Sequence, residues 1–239
     1  MQLLLIRHAL PLRNEPGEGA DPDLSEEGIA QADRLPDALK RYPITRLISS
    51  PQKRAIQTGQ PVSDALGLPI EIDDRLAEYD RDMQQYIPIE QIAAEHPEEM
   101  ARLMTGHLPS SVDEEAFLAR IAEAVADIAS EAEAEDTVAI FSHGGVINGL
   151  LHDILPTERI LSFQVDYTGI TRLLSSRSGR LAVAGVNSSM VLPGTPTAVG
   201  KLTFSVRTVT GVVPSLVIRT SRHSAYRSLC PLSVGVSGW

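Results

Sequence analysis

The chain of 239 residues is 43% hydrophobic, 22% charged and only 4% aromatic, with a net charge of −10, a composition that supports a packed core and excludes a chain disordered throughout. The acidic balance argues against broad nucleic-acid binding, which needs a basic footprint; the single cysteine, Cys230, excludes an internal disulfide framework and a cysteine-rich metal cluster. The apolar start is cut at Arg7, too early for a membrane span or a signal-peptide core, so no membrane association is expected and the chain reads as soluble and cytoplasmic.

In chain order, residues 2–7 form an apolar run that predicts a buried strand ending at Arg7-His8. A loop rich in Pro, Gly and Asp follows. Ser25 is a candidate N-cap, with Glu26 and Glu27 in the first turn where they suit the helix dipole. That helix is expected to run towards Arg41 with a bend at Pro36. Residues 46–49 read as a second strand, and Ser50-Pro51 as the N-cap and first position of the next helix. Residues 69–72 give a short third strand. Helical patterns cover 88–105 and 113–134, the second with an apolar stripe of Leu118, Ile121, Val125 and Ile128. A fourth strand at 137–141 runs into Ser142-His143-Gly144-Gly145 and a helix to about Leu155. Residues 170–174 and 181–186 read as an antiparallel hairpin. Strands alternating with helices imply an α/β fold: a three-layer α/β/α sandwich on a mostly parallel mixed sheet.

Every acidic residue lies at or before Asp166, whereas residues 193–239 carry five basic residues and no acid. This Ser/Thr/Val/Pro/Gly-rich segment is expected to be an atypical, poorly ordered C-terminal extension of a domain spanning 1–192.

Chemistry collects at three strand ends: Arg7-His8, Ser49-Ser50 just before Arg54, and Ser142-His143. In an open parallel sheet, ligands bind beyond the carboxyl ends of the strands, so these distant segments can share one crevice. Two of the ends feed helix N-termini, which favour anions. Gly144 and Gly145 lack a Cβ and let the backbone approach a ligand closely. Arginine's planar fork suits a tetrahedral oxyanion, and phosphate fits this pocket best. A neutral imidazole can also attack phosphorus in line, which makes His8 a candidate nucleophile. On its own each residue has a plainer reading, such as a strand-end or helix-capping histidine. Arg54 is the informative exception, because a cation in a helix's first turn is unfavourable unless an anion sits there.

The segments Leu5-Ile6-Arg7-His8, Leu24-Ser25-Glu26-Glu27-Gly28, Ser49 to Ala55 and Phe141 to Gly145 resemble the motifs of the histidine phosphatase superfamily, the phosphoglycerate-mutase-like group. The resemblance spans roughly residues 1–190, with four motifs in order. It implies His8 as the phosphorylated nucleophile and Arg7, Arg54 and His143 as phosphate ligands, with Gly144 at the same turn. Asn14 stands where many members place another phosphate contact. Leu76-Ala77-Glu78 fits the setting of the family's proton donor, making Glu78 the candidate acid and base, with Asp80 and Asp82 as rivals. A helical cap is implied at about residues 79–112.

The sequence departs from the family at Ala9, where a glycine is usual. It lacks the Phe-Gly-x-x-Glu-Gly stretch after the acid, and at Asn187-Ser188 it lacks the usual His-Leu. The expected activity is hydrolysis of small phosphomonoesters through phosphohistidine, with phosphoglycerate-mutase-type transfer and a non-catalytic phosphate-binding module as alternatives. The partner is a small phosphorylated substrate; nucleic acid is not expected, and a homodimer is compatible with the sequence. No cofactor is implied. Metal binding is not expected, since His96, His107, His152 and His223 show no ligand spacing.

Overall fold

The computed structural model describes residues 1–12, 20–81, 97–176 and 179–188. The elements are β1 (Gln2–Arg7), α1 (Glu26–Ala32), α2 (Leu35–Leu39), β2 (Arg46–Ser49), α3 (Lys53–Leu66) and β3 (Ile70–Ile72). A 3-10 turn (Asp74–Leu76) follows, then α4 (Pro97–Met104), α5 (Glu114–Glu131), β4 (Thr137–Ser142), α6 (Gly144–Ile154), β5 (Ile170–Ser175) and β6 (Leu181–Ser188). The six strands form one sheet in the order β3-β2-β4-β1-β5-β6. β1, β2, β3 and β4 are mutually parallel where they pair, while β5 runs antiparallel to both β1 and β6. The sandwich on a mixed sheet is therefore the observed architecture.

Strand alternation explains the two apolar layers. Leu3 and Leu5 of β1 and Val138 and Ile140 of β4 point to the face covered by α5 and α6, where Phe117, Ile121, Val125, Ile147 and Leu150 pack. Leu4, Ile6, Ala139 and Phe141 point to the other face, against Leu35 and Leu39 of α2 and Ala55 and Val62 of α3. Strands buried on both sides carry continuous apolar runs, which is why 2–7 and 137–141 are legible as strands without a polar alternation. Truncating a wholly buried leucine such as Leu3 to alanine would cost about 2–5 kcal/mol.

Two helix expectations are corrected. The first helix stops at Ala32 rather than bending at Pro36, and a separate α2 begins at Leu35 with the proline in its first turn. The ring of Pro36 would meet the carbonyl four residues back, at Ala32, so the helix ends there. The helix after β2 starts at Lys53 with Gln52 as its N-cap residue, not at Ser50-Pro51. Ser50 stays outside the helix, its hydroxyl bridging His143 Nε2, at 2.7 Å, and the Gln52 N–H, at 3.3 Å. Ser25 does cap α1, accepting from the Gly28 N–H at 3.0 Å.

Asn14, Asp82, the central part of the expected cap (82–96) and the segment 193–239 lie outside the described residues. Of the cap expected at 79–112, α4 falls within the described part.

Candidate active site

Parallel register brings the strand ends together. Arg7 pairs with Ser142 across β1 and β4, and Ser49 with Phe141 across β2 and β4. Beyond the strands the stitching continues: the His8 N–H donates to the Ser142 carbonyl at 2.8 Å, and the Ser50 N–H to the Phe141 carbonyl at 3.0 Å. Arg7 and His8 thus meet Ser142, more than a hundred positions on, at the carboxyl ends of the strands.

The His8 ring is buried, 5.2 Å from the His143 ring centroid to centroid. Its Nδ1 lies 2.8 Å from the carbonyl of Ala9. A carbonyl only accepts, so the proton sits on Nδ1 and the lone pair on Nε2. Burial, followed by the charges of Arg54 and Arg7, pushes the His8 pKa well below the ordinary 6.5, which keeps the ring neutral at pH 7. The backbone here is fixed by Thr58, whose hydroxyl accepts from the Ala9 N–H at 2.9 Å.

His143 is also buried, and burial, then Arg54, His8 and Arg7, lower its pKa well below 6.5. Its Nε2 meets the Ser50 hydroxyl at 2.7 Å, while that hydroxyl accepts from the Gln52 N–H at 3.3 Å. Ser50 can therefore donate to Nε2 and leave the proton on Nδ1. That atom is buried and has no hydrogen-bond partner among the described residues, so it can serve as a donor to an anion.

Arg7 is oriented by the 165–169 loop. It donates to the Val165 carbonyl at 2.6 Å, and its guanidinium lies over the Tyr167 ring, 4.0 Å from the centroid. Asn187 fastens that loop, accepting from the Asp166 N–H at 2.8 Å and donating to the Asp166 carboxylate at 3.0 Å. Asn187 adopts a positive φ of 50°, a left-handed conformation that asparagine tolerates better than most residues.

Arg54, wholly buried in the first turn of α3, donates Nη1 to the Ala20 carbonyl at 2.8 Å and Nη2 to both Asp80 oxygens at 2.9 Å. The anion expected at this terminus is thus supplied partly by the protein: Asp80 faces Arg54, and Asp21 accepts from the Lys53 N–H at 2.8 and 3.1 Å.

Glu78 is 7% exposed. Its two oxygens accept from the Gly145 N–H at 2.8 Å and the Tyr79 N–H at 3.1 Å, and its own N–H donates to Gln52 Oε1 at 2.8 Å. Burial, and then the nearby Asp80 charge, raise its pKa from 4.5 to about 7 against the opposing hydrogen bonds and Arg54. A carboxyl near neutrality can both give and take a proton at physiological pH. The rival Asp80 is committed to Arg54 and to Gln52 Nε2, 2.9 Å away.

Gly145 differs from the expected role of admitting a ligand. A Cβ there would strike Glu78 Oε1 and come within 2.9 Å of the Tyr79 ring, so the missing side chain makes room for the acid. At Gly144 a Cβ would meet only Arg7, at an ordinary 3.6 Å. Gln52, Thr58 and Tyr167 were not singled out from the sequence. Gln52 and Thr58 lie in or beside the Ser49–Ala55 segment and had a positional signal; Tyr167 had none. Among the described residues no cluster of three or more His, Cys, Asp or Glu could hold a metal ion, and no helix is long and apolar enough to cross a membrane.

The model of the histidine phosphatase superfamily (branch 1) matches residues 3–188. Phosphoserine phosphatase 1 of Hydrogenobacter thermophilus is 35% identical over 105 residues, a stretch covering 43% of this chain and 50% of that protein. The chain therefore spans half the length of that relative. A protein of Yersinia pestis described as a probable phosphoglycerate mutase is 29% identical over 161 residues, 65% of this chain and 75% of its own. The solved structure of a mycobacterial glucosyl-3-phosphoglycerate phosphatase superposes with a TM-score of 0.67 at 23% identity, covering 79% of this chain and 99% of that one. At that identity the likeness speaks to the fold.

Proposed function

The chain belongs to the histidine phosphatase superfamily (branch 1), and on that footing we propose that it hydrolyses small phosphomonoesters through a phosphohistidine on His8. The observation that carries this reading is the hydrogen bond from His8 Nδ1 to the Ala9 carbonyl, which leaves a neutral Nε2 beside two guanidinium groups and a second imidazole. Nε2 attacks phosphorus while the ester P–O bond breaks. Arg7, Arg54 and His143 Nδ1–H offset the charge on the equatorial oxygens. The leaving oxygen takes the proton of Glu78. The resulting carboxylate then removes a proton from water, whose oxygen attacks phosphorus as the P–N bond breaks. Inorganic phosphate leaves, and His8 and protonated Glu78 are restored. Every proton is accounted for by Glu78 and water.

Quenching in alkaline denaturant with a phosphate-labelled substrate, with a chelator present, tests the proposal, because phosphohistidine survives base and hydrolyses in acid. Label on His8 followed by release of inorganic phosphate is expected. Label that returns to a substrate hydroxyl would instead indicate a mutase, and no label would indicate a binding module.

A further inference from the structure

The cycle above assigns no role to Asp80, although this carboxylate is 8% exposed and sits at the centre of the site's charge network. Both of its oxygens face Arg54 Nη2 at 2.9 Å, and Oδ1 also accepts from Gln52 Nε2 at 2.9 Å. Gln52 in turn holds the Glu78 backbone N–H, so one amide side chain fixes the spacing between the two acids. A second carboxylate, that of Asp21, stands 3.9 Å from Arg54 Nη1 but is far more exposed. The guanidinium that must clasp phosphate therefore already faces a buried carboxylate of the protein itself.

A buried guanidinium without a counter-ion is strongly unfavourable. Between turnovers Asp80 meets that need. When a phosphate dianion arrives, Arg54 must share its donors between the two anions, and the carboxylate repels the newcomer. A phosphatase has to release inorganic phosphate in every cycle, and a resident negative charge beside the cationic pocket weakens that product's hold. The Asp80–Arg54 pair could be no more than compensation for burying the arginine, and the two roles predict opposite results when the charge alone is removed.

We propose that Asp80 is a positioning residue and the resident counter-ion of the phosphate site: its carboxylate holds Arg54 between turnovers and limits the affinity for phosphate so that product leaves. The inference rests on the reading of Arg54 as a phosphate ligand.

The test is calorimetric titration of inorganic phosphate into the full chain, wild type and Asp80→Asn, at one pH and ionic strength. Asparagine keeps an acceptor for Arg54 and Gln52 but loses the charge. Phosphate is expected to bind about tenfold more tightly to the variant. In turnover of p-nitrophenyl phosphate, KM and kcat should then fall together as release becomes limiting. A merely structural role would not produce a gain in affinity. Equal or weaker phosphate binding by Asp80→Asn overturns the inference alone. Failure of the wild type to bind phosphate overturns the reading of the pocket and the inference with it. Asp80→Ser, measured in parallel, carries the same expectation if the asparagine variant does not fold.

Discussion

Replacing Glu78 with glutamine removes the proposed proton donor while nearly preserving its shape. With a pKa of about 7, roughly half of the Glu78 carboxyls carry a proton at pH 7, whereas a carboxyl at the ordinary 4.5 would do so in about 0.3% of molecules. The burial that raises this value therefore enlarges the competent population by about two orders of magnitude. Loss of a general acid typically slows a reaction by about 10²- to 10⁴-fold. That range is expected for alkyl phosphates, whose leaving alkoxides need the proton. p-Nitrophenyl phosphate, with a stable leaving group, should slow by less than about tenfold. The assay is kcat/KM for both substrates from about pH 5 to about pH 9. For the alkyl substrate the wild type should lose about tenfold per unit above pH 7, and that limb should vanish in Glu78→Gln. Equal slowing of both substrates, or an alkaline limb that persists in the variant, would refute Glu78 as the donor.

The same shift has a stability consequence of definite sign. The folded protein holds the Glu78 proton more tightly than the unfolded chain, so this contribution is fully present below about pH 4.5 and is lost as pH rises through about 7, to a limit of about 3 kcal/mol. Thermal melting should show Glu78→Gln gaining relative to wild type as pH is raised. His8 and His143 act in the opposite sense over an overlapping range: buried neutral, they bind protons less readily than in the unfolded chain, so stability should fall as pH drops below 6.5. In Glu78→Gln, where the opposing contribution is gone, a melting temperature insensitive to pH between about 5 and 6.5 would contradict that account. His8→Ala should abolish both turnover and the alkali-stable, acid-labile label, read in the quench experiment. Gly145→Ala should displace the Glu78 carboxyl and lower kcat/KM for alkyl phosphates by about 10²-fold, with a smaller effect on p-nitrophenyl phosphate.

The strands and their polar ends could be read from the sequence because each is a local signal: a buried run of four to six residues closed by Arg-His, Ser-Ser or Ser-His. The convergence of those ends followed from parallel topology, and Glu78 from its Leu-x-Glu setting. What escaped was tertiary. The start of α3 at Lys53 leaves Ser50 outside the helix, its hydroxyl bridging Gln52 to a histidine 93 positions away. The Arg54–Asp80 pair joins a helix to a loop without any periodic spacing that could announce it. Tyr167 lies under Arg7 only because the antiparallel β5 brings its preceding loop back across the end of β1. At Gly145 the sequence suggested backbone approach to a ligand, but the space accommodates a side chain of the protein.

His8, the proposed nucleophile, directly follows β1, an interior strand flanked by β4 on one side and β5 on the other. Both neighbours are contributed by chain more than a hundred residues downstream, so no early-formed fragment can present a half-built pocket. Assembly of such a long-range sheet is expected to be slow, and competence for phosphate should emerge only in its last stage. Recovery of phosphate binding during refolding would consequently report closure of the whole sheet, and saturating phosphate should protect the assembled protein as a unit rather than one lobe of it.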